Sequence, residues 1–260
     1  MMKENPNTST HNTKTAVIFM FPVSILCKDN IPQTILVPDV QLLEFLCYNN
    51  LMETEKMGKL VVVRHHESEW NKLDKWTGVT DVHLSPLGFE KSKEMGELIK
   101  DFHFDYVFDS TQIRAQETLA SMFSVRDTNK EIPTEHAKEL NERDYGDYTG
   151  KNKWDMKKIL GEEEFNKLRR GWDYPIPNGE SLKMVYERAT PFFLDRILPI
   201  LKEGKNVLIV AHGNSIRALI KYIENISDED IANLDSTFGS ILIYDLDNDG
   251  HIFHKEIKQV

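Results

Sequence analysis

Cysteine is nearly absent from this sequence. Its 260 residues hold two, Cys27 and Cys47. Both precede position 57, so no disulfide framework is expected and the composition suits a reducing compartment. Positive charge is also short: 32 Lys and Arg stand against 42 Asp and Glu, for a net charge of −10. That balance argues against a broad nucleic-acid surface. It leaves room for a small basic pocket, because a few clustered arginines vanish in the total. Long apolar runs are missing too. The longest, Ala16 to Cys27, is broken by Pro22, whereas a membrane-spanning helix needs about 20 apolar residues. With Lys3 and Lys14 before it, the run has the make-up of a signal-peptide core, but no small-x-small cleavage site follows cleanly. There is no internal repeat and no cluster of Cys, His and acids at metal-ligand spacing. These absences lead us to expect a cytoplasmic protein with no nucleic-acid partner, no membrane partner and no metal.

What is present divides at residue 57. Residues 1–56 open with Asn, Thr, Ser and Pro and then carry apolar runs with no clear period. They are expected to be a poorly ordered extension, or to lie upstream of a natural start at Met57-Gly58. From Leu60 onward strands and helices alternate. Leu60–Val63, Tyr106–Phe108 and Asn206–Ala211 are short apolar runs of the kind buried on both faces of a sheet. Ser85-Pro86 is a helix start, a capping residue followed by Pro at the first helical position, and that helix should run to about Lys100. Gln112–Phe123 and Ser215–Ile223 read as helices. Ile241–Tyr244 and His251–His254 read as late strands separated by an Asp-Asn-Asp-Gly turn. The alternation predicts an α/β three-layer sandwich over 57–260, a mainly parallel sheet with helices on both faces.

Two strand ends hold the chemistry. Arg64-His65-His66 follows the first strand, and His212-Gly213-Asn214-Ser215 follows the strand ending at Ala211. Ligands of open α/β sheets bind beyond the carboxyl ends of the strands. An Arg fork suits phosphate oxygens, and an imidazole that is partly neutral near pH 7 accepts a phosphoryl group on a ring nitrogen. Each residue also has a plainer reading. Arg64 would cap a carboxylate, His65 would be a surface histidine, and Glu142 would pair with Arg143 in solvent. Arg169-Arg170, after Glu162-Glu163-Glu164, would be a solvated helix face.

The order of the motifs decides between these. Arg64-His65 and the later His212-Gly213 resemble the histidine phosphatase superfamily. The flanking segments are similar to its phosphoglycerate mutases: Glu67 to Asn71, Trp76-Thr77-Gly78, Leu140 to Gly146, Gly150 to Lys153, Arg169-Arg170, Gly179 to Leu182 and Ala211 to Leu219. The resemblance runs from about Lys59 to near the end of the chain. It implies His65 as the phosphoryl-accepting nucleophile, Arg64 and Arg114 as clamps on the transferring group, His212 as a second histidine donating to it, and Glu142 as general acid/base. It implies Lys153, Arg169 and Arg170 as holders of the substrate's carboxylate and distal phosphate. Asn71, Thr77, Gly78, Arg143, Tyr145, Gly213 and Asn214 would complete the pocket.

The implied activity is interconversion of 3-phosphoglycerate and 2-phosphoglycerate through phosphohistidine at His65, primed by 2,3-bisphosphoglycerate, by a homodimer or homotetramer. Two departures stand out. His66 occupies a position where the family has Gly, either tuning His65 or pointing to solvent. The stretch after Lys255 is short, and a thinly covered site would admit water and leak phosphate. Two other readings remain at this level: a broad phosphomonoester histidine phosphatase, and a catalytically silent binding or regulatory protein on the same fold.

Overall fold

The chain is described in a computed structural model over residues 57–126 and 131–260. The expected N-terminal extension, 1–56, lies outside the described residues. The first strand, β1 (Leu60–Arg64), lies between β4 (Val207–Ala211), parallel to it, and β5 (Ser240–Leu246), antiparallel to it. The full sheet includes β2 (Tyr106–Ser110), β3 (Thr134–Ala137) and β6 (Ile252–Gln259), in the order β3-β2-β4-β1-β5-β6. Every strand but β5 runs the same way. The expected sheet is therefore present, with one reversed strand in it.

Every residue of β4 is 0% exposed. Burying a Val or Leu side chain contributes about 1.5–3 kcal/mol. A polar residue in β4 would thus cost more than an exposed ion pair returns. The alternation of side chains sends Val62, Ile209 and Ala211 to one face and Val61, Val63, Leu208 and Val210 to the other. The second face packs on α2 (Pro86–Leu98) and α3 (Ile113–Phe123) through Met95, Ala115, Leu119 and Met122. The first packs on α6 (Leu182–Phe192) and α8 (Gly213–Ile223) through Ala189, Ile216, Leu219 and Ile220. Ser85 caps α2 by accepting from the Gly88 amide at 3.0 Å, with Pro86 following it as expected.

In the long span between β3 and α6 the sequence shows no clear period, beyond the helix face at Arg169-Arg170. The span contains α4 (Lys153–Leu160) and α5 (Glu162–Arg170), which fold over the sheet's carboxyl edge around Trp76, Tyr145, Phe165 and Leu168. α1 (Glu69–Lys72) is a single capped turn, and α7 (Leu198–Lys202) continues from α6 through a π-helical stretch, Phe193–Ile197. The residues after Lys255, expected to be a tail, instead extend β6 to Gln259, hydrogen-bonded along β5. Among the described residues no helix is long and apolar enough to cross a membrane.

Candidate active site

Because β4 lies between β1 and β2, their carboxyl ends sit side by side. The His65 amide donates to the Ala211 carbonyl at 2.9 Å. This brings the His65 and His212 rings to 4.8 Å between centroids. From the other flank Ser110, the last residue of β2, places its hydroxyl 2.5 Å from Nε2 of His212.

His65 is defined by one local bond. Its Nδ1 lies 2.6 Å from the His66 carbonyl oxygen, which only accepts. Nδ1 therefore holds the proton and Nε2 keeps its lone pair. Burial, then the charges of Arg114 and Arg64, push His65 well below the usual histidine range. His212 is lowered in the same way, by burial, Arg114 and His65. Both rings are thus neutral near pH 7. His66 is 8% exposed and lies against Phe238 at 5.5 Å between rings, so its side chain packs on protein rather than reaching solvent. Its charge is a minor influence on His65.

Arg114 is buried and Arg64 half-buried. Arg64 donates to the Ser236 carbonyl and lies under the Phe238 ring, 3.8 Å from its centroid. The guanidinium also lies against Gly213, where a Cβ would be in ordinary contact with it at 3.4 Å. Arg114 is held by the carbonyls of Thr80 (3.0 Å) and Gly78 (2.9 Å) and by the Gln112 side chain (3.2 Å). Burial lowers it to about 10, so it stays charged. Gly78 has φ +56°, a left-handed turn that presents this carbonyl, where a side chain would be strained. Four buried groups here have no partner among the described residues: Arg64 Nε, Arg114 Nε, Thr77 Oγ1 and His212 Nδ1. Such a set around a basic cavity fits the oxygens of a phosphoryl group, and so fits a phosphate-bearing cofactor.

Glu142 is anchored by one oxygen. Its Oε1 accepts from the Arg143 amide (2.8 Å), the Asn214 amide (3.2 Å) and the Asn214 side chain (2.9 Å). Oε2 has no hydrogen-bond partner among the described residues. The loop itself is held from behind. Arg188 donates to the carbonyls of Glu139 (2.6 Å), Asn141 (3.0 Å) and Glu142 (3.2 Å) while forking onto Glu180.

The cavity has two lobes that share Arg64, Trp76, Glu142, Tyr145 and Lys153 as walls. One, of about 50 Å³, reaches His65, Asn71, Thr77, Gly78 and Arg114. The other, of about 100 Å³, reaches Arg169, Arg170, Gly213, Asn214, Arg217 and Asp235. In Asn71 the side-chain oxygen is committed to Ser68, which leaves its amide nitrogen for the first lobe. Burial, then Arg169 and Arg64, lower the Lys153 ammonium.

Two of the residues expected from sequence line neither lobe. His212 stands behind His65. Arg143, expected to bind substrate, is not brought to either lobe: it is 0% exposed, donates to the Leu168 carbonyl at 3.0 Å and stacks on Tyr145 at 4.6 Å. Its charge is used on the end of α5. Arg217 does the same, donating to the carbonyls of Arg170 (3.0 Å) and Ile231 (2.8 Å). Cations suit the carbonyl end of a helix, and these two hold Arg169 and Arg170 over the second lobe. Sequence reasoning missed Ser110, Gln112, Arg188, Arg217, Asp235 and Phe238. Only Arg217 and Glu180, the partner of Arg188, fell inside motifs quoted for the resemblance.

The sequence model of the histidine phosphatase superfamily (branch 1) matches residues 60–256. The chain is 42% identical over 201 residues to the 2,3-bisphosphoglycerate-dependent phosphoglycerate mutase of Parvibaculum lavamentivorans, covering 76% of this chain and 95% of that protein. It is 42% identical over 210 residues to a phosphoglycerate mutase of Schizosaccharomyces pombe, covering 79% and 99%. Among solved structures, the alpha-ribazole phosphatase from Shigella flexneri is 24% identical, with a TM-score of 0.63 over 78% of this chain and 95% of that one. At that identity the likeness concerns the fold alone.

Proposed function

Since the chain belongs to the histidine phosphatase superfamily, branch 1, and within it to the 2,3-bisphosphoglycerate-dependent phosphoglycerate mutases, we infer that it interconverts 3-phosphoglycerate and 2-phosphoglycerate through a phosphohistidine at His65. When bound, 2,3-bisphosphoglycerate supplies the phosphoryl group that primes His65.

The chain's own residues divide the remaining work. Nε2 of His65, neutral and with its lone pair free, attacks phosphorus as the bond to the leaving oxygen breaks. Arg64, Arg114 and the Thr77 hydroxyl hold the oxygens over which charge spreads. If Ser110 donates to Nε2 of His212, the His212 proton sits on Nδ1, as a donor to the same group. Glu142 gives a proton to the departing hydroxyl oxygen and takes it back from the attacking one in the reverse direction. Lys153, Arg169 and Arg170 hold the carboxylate and the second phosphate. We likewise place the enzyme in the cytoplasm as a homodimer or homotetramer.

The observation that carries this reading is the two-lobed basic cavity with Glu142 in the wall of both lobes. A phosphatase needs one anion lobe; moving a phosphoryl group between two hydroxyls of one molecule uses two. The test is a coupled assay of 3-phosphoglycerate conversion, with and without trace 2,3-bisphosphoglycerate, beside measurement of free phosphate. Primed isomerisation lost in His65→Ala is the expected result. Phosphate release without isomerisation overturns it.

A further inference from the structure

The second lobe contains an acid that the chemistry above does not use. Its lining cations are Arg64, Lys153, Arg169, Arg170 and Arg217, and its lining acids are Glu142 and Asp235. Glu142 is assigned to proton transfer. Asp235 is not, yet it occupies a cation that the reaction needs. Its Oδ2 lies 3.1 Å from Nη2 of Arg170, and its Oδ1 accepts from the Ser236 amide at 2.9 Å. The other arm of the Arg170 fork donates to the Leu234 carbonyl at 3.1 Å. Each arm of Arg170 thus already has one protein partner in the lobe where an anionic group of a ligand would bind.

The pair is open to exchange. The side chains are 28% exposed for Arg170 and 59% for Asp235, and an ion pair that wet is weak. Burial alone would raise the Asp235 carboxyl, but the hydrogen bond and charge of Arg170 outweigh it and hold it below the usual range. It is therefore ionised at neutral pH and contributes a fixed negative charge to the lobe. Arg64 and Arg217 also feel that charge.

A fixed negative charge acts in proportion to the charge of the ligand. A phosphoglycerate brings one phosphate and one carboxylate, and a bisphosphoglycerate brings a second phosphate. We propose that Asp235 is a specificity-determining residue that competes for Arg170 and lowers the cavity's hold on the bisphosphate more than on the monophosphates. A cavity with this many cations would otherwise retain its most highly charged occupant, and uniform tightening of that kind does not raise turnover. The proposal rests on the mutase reading for the identity of the ligands.

The test is calorimetric binding of 2,3-bisphosphoglycerate and of 3-phosphoglycerate to the full chain with and without Asp235→Asn. A His65→Ala background prevents phosphoryl transfer. Asn keeps the oxygen that accepts from Ser236, and matched melting curves check that the segment is intact. We expect Asp235→Asn to tighten the bisphosphate about five- to tenfold and 3-phosphoglycerate about two- to threefold, with both gains shrinking in added salt. In the His65 enzyme the same change lowers KM without raising kcat. Equal affinities, or weaker binding of both ligands, overturn the proposal and make Asp235 a mere support for Arg170. Failure of the mutase reading shows separately, as absent isomerisation by the unsubstituted enzyme.

Discussion

The carbonyl oxygen of His66 lies 2.6 Å from Nδ1 of His65, so the neighbour of the nucleophile determines which of its nitrogens is free. Nothing about the identity of side chain 66 is needed for this, because the bond is to backbone. The tautomer survives a substitution there, and the departure at this position leaves the nucleophile's chemistry in place.

Titration should show both buried rings resisting protonation. His65 and His212 are held well below their usual 6.5 by burial and by arginine charge. Nitrogen chemical shifts should report neutral rings at pH 6, with the His65 proton on Nδ1. A midpoint near 6.5 for His65 would contradict the geometry. The sign for stability follows. Below 6.5 the unfolded chain binds protons that the folded rings refuse, so stability present above 6.5 is lost as pH falls toward the folded values. Melting temperatures taken between pH 7 and 5 should fall, and fall less steeply in His65→Ala.

Glu142→Gln should cut mutase turnover about 10²- to 10⁴-fold while leaving the protein folded. The Gln oxygen still accepts from Arg143 and Asn214, which hold Oε1 at 2.8 to 3.2 Å. Retained turnover would remove Glu142 from its role as proton carrier.

Arg143→Met should act on stability rather than on substrate affinity. The guanidinium is 0% exposed and its partner is the Leu168 carbonyl, so losing that charged hydrogen bond should cost about 1.5–3 kcal/mol. Chemical denaturation measures this. A large rise in KM with unchanged stability would return Arg143 to the substrate-binding set.

Ser110→Ala should release the His212 ring, whose Nε2 is 2.5 Å from the hydroxyl. Turnover should fall about tenfold, in keeping with loss of one orienting hydrogen bond, and Ser110→Thr should restore much of it. A purely structural role for Ser110 would leave the His212 nitrogen shifts unmoved. The expected shift is the discriminating observation.

The legible part of the molecule is its parallel centre. β1 and β4 are short apolar runs ended by Arg64-His65 and His212-Gly213, and strand-end placement alone was enough to bring the histidines to one edge. The segments over the site were legible only through the resemblance. α4 and α5 are short and highly charged, and α5 buries only Phe165 and Leu168, too few for a period to stand out. β3 is a four-residue edge strand that is mostly accessible, so no apolar run marks it. Ser110, Gln112 and Arg188 are ordinary residue types whose importance comes from what the topology puts beside them. Arg143 is placed in the pocket by the resemblance alone, and nothing in the sequence marks that the end of α5 takes its charge.

The reversal of β5 has a consequence for how such a site diversifies. A strand that runs backward starts where its neighbours finish. The segment leading into Ser240, with Asp235, Ser236 and Phe238, is thereby delivered to the nucleophile's edge from the far side of the sheet. Its backbone is anchored at only a few points, and none of its side chains belongs to the two core layers. Substitutions at Asp235 and Ser236 alter the surroundings of Arg170 and Arg64 without entering those layers, whereas Phe238 also packs on His65, 6.0 Å between rings. The groups around Arg170 and the core that carries the fold thus lie in separate stretches of this chain.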